Sequence, residues 1–162
     1  MAVFALTGAT VLVGTTWTGT APGGSAAPSG TITTTTDISS LLTGINLSLE
    51  ADELEWTNFA SAGWRQKEVG LQMGSVQLDL NQDFAASVTD AIFGLGGTLG
   101  FASSSTLYMD IKPTSASRSA TNPSYVLRFL NLSYQPIANS VGELATMSLT
   151  FPTTGRIARL TS

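Results

Sequence analysis

Three stretches of this chain alternate apolar and polar residues with a period of two, and no other feature constrains the fold as strongly. Ile45, Leu47, Leu49 and Ala51 alternate with Asn46, Ser48, Glu50 and Asp52. Val76, Leu78 and Leu80 alternate with Gln77, Asp79 and Asn81, and Ala145, Met147, Leu149 and Phe151 with Thr146, Ser148 and Thr150. Successive side chains of a strand point to opposite faces of its sheet, so each stretch predicts a half-buried strand with one apolar and one hydrophilic face. The first two, joined by the segment around Trp56 to Gly70, predict a long hairpin. Further strands are predicted over Ala9 to Trp17, over Leu107 to Lys112 ahead of Pro113, and over Tyr125 to Gln135 ahead of Pro136.

In one place the period changes. Phe84, Val88, Ala91, Ile92 and Leu95 fall at i, i+4, i+7, i+8 and i+11, which predicts a single amphipathic helix capped by Asp83 and stopped by Gly96 and Gly97. Residues 18–36 are almost wholly Gly, Ala, Pro, Ser and Thr, a tract with little apolar area that reads as a long hairpin tip or surface arm. A polar tail, 153–162, carries Arg156 and Arg159. The sum is one domain over 1–162, mainly β, a sandwich or barrel with a helix on one side and no internal repeat. Both the 18–36 tract and the tail hold too few apolar residues to offset the cost of ordering backbone, about 1–2 kcal/mol per residue. They are therefore expected to become fixed against a neighbouring molecule.

Composition narrows the chemistry. The chain has no histidine and no cysteine, so Ser-His-Asp and Cys-His arrangements, thiolate metal sites and disulfides are all excluded. Only 11% of residues are charged while 43% are hydrophobic. A free soluble domain carries about 25% charged residues, so this surface is either hidden in an assembly or wetted by neutral hydroxyls, of which the 23 Thr and 19 Ser supply many. The net charge of −4 lacks the basic footprint of a nucleic-acid binder. No apolar run reaches the length of a membrane span, so no membrane binding is expected. No Lys or Arg precedes Arg65, so the apolar stretch Met1 to Val13 lacks the basic start of a secretory signal.

The remaining motifs read as structural. Glu50 and Asp52 share one strand face and Glu53 and Glu55 the other, so the acidic cluster does not converge as a catalytic pair would, and solvation of a strand face outweighs calcium ligation. Gly94 to Gly97 closes a helix, whereas a phosphate cradle needs the opening of one. Asn46-Leu47-Ser48 and Asn131-Leu132-Ser133 match the glycosylation pattern, but inside predicted strands. Trp56, Phe59 and Trp64, near Arg65 and Lys67, fit either the core or a contact between subunits. No enzyme and no cofactor is expected.

From Asp37 onward the order of elements resembles the major tail tube proteins of long-tailed bacteriophages, particularly those infecting actinobacteria. The resemblance rests on DISSLLTGINLSLEADELEWTNF, GWRQKEVGLQMGSVQLDLNQDF, IKPTSASRSATNPSY and SVGELATMSLTFPTTGRIARLTS, which together cover most of residues 37–162. The most specific pieces are Ala120 to Tyr125 and Phe151 to Gly155, where Asn-Pro and Pro-Thr-Thr-Gly turns stand between strands. The 18–36 tract departs from that pattern, since the family usually enters its acidic strand soon after the first.

The resemblance implies a β-sandwich with a flanking helix. It implies six copies closed into a ring whose inner sheets join into one barrel, and rings stacked into the tube that conducts the genome. It also implies a virion protein assembled in the host cytoplasm, with itself, the tail tip, terminator and tape-measure proteins, and passing DNA as partners. Glu50, Asp52 and Asp79 are then expected to face the lumen, because they sit opposite the core alternation. Trp56, Phe59, Trp64, Arg65, Arg156 and Arg159 are expected at subunit contacts. The competing readings are another β-rich virion component, such as a tail terminator or head decoration protein, and an extracellular carbohydrate-binding sandwich.

Overall fold

The computed structural model describes residues 8–58, 60, 63–84, 89–137, 140, 142 and 144–162. The chain is mainly β, with antiparallel pairing throughout. β1 (Thr10–Gly14) leads through β2 (Trp17–Thr18), β3 (Thr31–Ile32) and β4 (Thr35–Asp37) into a 3₁₀ turn, Ser39–Leu41, and then β5 (Leu42–Glu55). β6 (Lys67–Asn81), α1 (Thr89–Phe93), β7 (Leu107–Lys112), β8 (Ser124–Phe129), β9 (Thr146–Pro152) and β10 (Ala158–Leu160) follow. They form a five-stranded sheet in the order β10-β8-β7-β1-β4, a three-stranded sheet β5-β6-β9, and the small pair β2-β3.

The two larger sheets pack face to face over one core, as the alternating pattern requires. Val11, Val13, Leu107, Met109, Leu127 and Phe129 of the first meet Val76, Leu78, Leu80, Met147, Leu149 and Phe151 of the second, with Ile92 and Phe93 of α1 joining them. Phe151 sits between Phe93 and Phe129, its ring centroid 5.5 and 5.0 Å from theirs. Burial of this apolar surface is the main force holding the sheets together, at about 25 cal/mol per Å².

The helix is shorter than its periodicity predicts. Phe84 and Leu95 are exposed and lie outside it, and Val88 is outside the described residues. The glycines act earlier than expected: the Gly94 amide bonds the Asp90 carbonyl to close the last turn, and Gly96, at φ +81°, turns the chain away. The predicted strand over Tyr125 to Gln135 also stops early, at Phe129. There Asn131 is buried and donates its amide to the Phe93 and Leu99 carbonyls, at 3.0 and 2.9 Å, which pulls the chain off the ladder and across the end of α1. That burial also removes Asn131 from any glycosylation machinery.

The 18–36 tract folds over the outer face of the five-stranded sheet as a strap. β2 pairs with β3, β4 pairs with β1, and Ile32 is buried. Trp17 lies 5.6 Å from the Tyr108 ring and bonds the Ser29 carbonyl. Arg118 fixes the strap from the side, giving one guanidinium nitrogen to the Gly30 carbonyl at 2.7 Å and another to Asp110 at 2.6 Å. Asp110 is only 3% exposed, and its other oxygen accepts from Ser124. The tail is likewise tied in, through β10 on β8.

Candidate assembly interface

Two surfaces of the three-stranded sheet distinguish this chain from a self-contained sandwich. The first is the sheet's outer face. In register, Asn46 lies beside Gln77, Ser48 beside Ser75 and Glu50 beside Met73. On the other side Gln77 lies beside Thr150, Asp79 beside Ser148 and Asn81 beside Thr146. This face is hydroxyls, amides and carboxylates except at Met73. Gln77 knits it across strands, donating to Ser148 at 3.0 Å and to Asp79 at 3.3 Å.

The second surface is the β5–β6 hairpin, which outruns the sandwich. The core alternation ends near Ala51, and the register shifts between Ala51 and Glu53. Around that bulge apolar residues stand on both faces, because neither face is covered by the chain's own body. Leu49 and Val69 are exposed on the face continuous with the core; Leu54, Leu71 and Met73 are exposed on the other. Lys67 to Glu53 at 2.7 Å and Arg65 to Glu55 at 3.6 Å tie the far end together. Both pairs are largely exposed and are worth at most about 1 kcal/mol each.

The sheet is also open at both sides. β5 and β9 are its outermost strands, and among the described residues neither has a second partner strand until Pro152, whose carbonyl accepts from Leu130. Long unpaired edges are templates for pairing with another chain.

The residues expected at functional positions divide as follows. Glu50 and Asp52 are exposed on β5, and Asp79 is half-buried on β6 on the same outer face, directly beside Gly44. Trp56 and Trp64 stand outside the core, Trp64 with 75% of its surface exposed, which removes the core alternative for both. Phe59 lies outside the described residues. Arg65 is at the hairpin end, Arg156 in the turn between β9 and β10, and Arg159 on β10, where it donates to the Ala120 carbonyl. Among the described residues no group of three or more carboxylates is placed to hold a metal. Tyr134 is pushed above its ordinary pKa by burial and by its hydrogen bond to Asp90. It buttresses α1 and plays no part in the exposed surface.

Sequence reading missed Met73, Leu71 and Leu54 as a surface set. Leu54 follows the loss of alternation after Ala51, whereas Leu71 and Met73 keep a period of two but on the opposite parity to Val76, Leu78 and Leu80.

The chain is thus an open-edged sandwich with a polar sheet face and a partly apolar, exposed hairpin. No family model matches the chain, and no curated protein sequence does. The fold is similar to that of a chain in the virion of a native gene transfer agent particle. The two share a TM-score of 0.54 and 17% sequence identity, over 77% of this chain and 88% of that one. At that identity the likeness is one of fold.

Proposed function

We propose that this protein is a non-enzymatic structural subunit of a phage-like virion, and specifically the tail tube subunit of a long-tailed bacteriophage. The observation that carries the reading is the three-stranded sheet, open at both edges with a hydrophilic face turned away from the core. Pairing β9 of one copy with β5 of the next satisfies both edges, and repetition closes a barrel. Six copies make the ring that the family resemblance implies, and stacked rings make a tube. The similar fold within a gene transfer agent virion supports placement in a particle of this kind.

In that tube the outer sheet face lines the lumen. Glu50, Asp52 and Asp79 stand there among Asn46, Ser48, Gln77, Ser148 and Thr150, a wall that is wet and repels phosphate. Each ring carries six times the −4 of one chain. Low affinity for passing DNA is then the property the wall provides. Trp56, Phe59, Trp64 and Arg65 at the hairpin end, with Arg156 and Arg159, serve contacts between subunits. The tip, terminator and tape-measure proteins meet the ends and interior of the finished tube, which is assembled in the host cytoplasm.

Negative-stain electron microscopy of the purified chain tests the reading. Open-ended tubes of uniform diameter are expected. Single closed rings that never stack would identify a terminator, and a protein that stays monomeric and binds glycans would identify the extracellular module.

A further inference from the structure

β10 is three residues long and none of them is fully buried, so its own contacts do little to keep it on β8. The chain enters the β9–β10 turn firmly. The Thr153 amide and hydroxyl both donate to the Gly74 carbonyl, at 2.9 and 3.0 Å, and the Thr154 amide donates to the Arg128 carbonyl at 2.9 Å. Beyond Thr154, Ile157 packs against the core. Apart from that side chain and the short ladder itself, the tail is held by two segments remote in sequence. One is the strap: the Gly23 amide donates to the Arg156 carbonyl at 3.2 Å, and a Cβ on Gly155 would stand 2.1 Å from the Gly23 carbonyl oxygen, so strap and turn touch backbone to backbone. The other is the loop 113–123, whose Ala120 carbonyl accepts from Arg159 at 2.9 Å.

Strap and loop are themselves joined. Arg118 of the same loop donates to the Gly30 carbonyl of the strap at 2.7 Å and to buried Asp110 at 2.6 Å. The loop can transmit a pull because it is braced from within. Asn122, only 7% exposed, accepts from the Thr114 amide at 3.0 Å and donates to the Ala116 and Ser117 carbonyls at 2.9 and 3.2 Å. Strap, loop and tail therefore close a ring of contacts in which each touches the other two.

We propose that strap, loop and tail form one lock, which opens and closes as a unit and decides whether β10 stays on β8. An exposed hydrogen bond to a backbone carbonyl stabilises little on its own. In a closed ring each such bond also keeps its neighbours ordered, so losing one weakens the others, and segments coupled in this way open together. Opening bares residues 124–126 of β8, which β10 covers in the closed state, and an uncovered edge is a template for another strand. The lock belongs to the single chain and does not depend on the tube reading.

Amide hydrogen exchange on the full chain tests this from two ends. Gly30 has φ +94°, and a Cβ there would stand 1.8 Å from the Thr18 carbonyl oxygen, so Gly30→Ala disturbs the strap at a point away from the tail. Arg159 is exposed, and Arg159→Ala removes a contact of the tail away from the strap. Gly30→Ala should speed exchange of the β10 amides bonded to β8. Arg159→Ala should speed exchange of the strap amides of Ser29 and Thr33. Each rise should be at least about fivefold, while β6 amides paired with β9 keep wild-type rates. Acceleration confined to the segment that carries the substitution overturns the lock, as does equal acceleration in β6, which would mean that the whole chain unfolds. Should Gly30→Ala fail to fold, the Arg159→Ala result decides alone.

Discussion

The seven basic residues of this chain hold very different places, and burial decides what each contributes. Lys67 reaches Glu53 at 2.7 Å on an open hairpin, where water and salt screen the pair. Arg118 reaches Asp110 at 2.6 Å under the strap, where side-chain exposures fall to 17% and 3%. Removing Arg118 leaves a buried carboxylate without its cation, so Arg118→Ala should lower stability by about 3 kcal/mol. Lys67→Ala should change it by less than about 1 kcal/mol. Urea denaturation of the two variants measures the contrast, and equal losses would mean that the strap does not seal Asp110 from solvent. Nothing in the sequence marked Asp110 as different from its exposed neighbours. It alternates with Met109 and Ile111 on β7 and so reads as a solvent-facing residue until the strap is placed over it.

At the scale of elements, the period-two pattern was legible wherever the chain's own core enforces it. Val76, Leu78 and Leu80 on β6 and Met147, Leu149 and Phe151 on β9 took the positions their alternation assigns. Beyond Ala51 the pattern fades because no core lies beneath the hairpin, and β5 and β6 extend to Glu55 and Lys67 regardless. The strap shows the reverse. Counting apolar residues in 18–36 suggests a segment that needs a neighbour to order it, yet the structure holds it by backbone hydrogen bonds, close glycine contacts, one arginine and the burial of Ile32. Of these only Ile32 registers as hydrophobic area.

The expectation that a neighbouring molecule fixes these segments is revised accordingly. In the monomer the amides of Gly23, Ser29 and Thr33, which donate to Arg156, Thr20 and Thr16, should be protected from hydrogen exchange, as should the β10 amides bonded to β8. Exchange as fast as in an unfolded peptide would mean that only assembly orders them.

The molecule as a whole is a sandwich with one side left unfinished. One sheet is covered by the strap, whereas the other has a hydrophilic face, two open edges and a hairpin longer than the body beneath it. A monomer in water gains nothing from that arrangement, since long edges and exposed Leu71, Val69 and Trp64 invite association. The ring proposed above would satisfy all of it at once. A cryo-electron microscopy reconstruction of the assembled protein, at a resolution that traces strands, tests this most directly. The account predicts a continuous inner barrel in which β9 of each copy pairs with β5 of the next and Glu50, Asp52 and Asp79 point into the channel. A reconstruction with that face turned outward, or with β5 and β9 unpaired between copies, would contradict it.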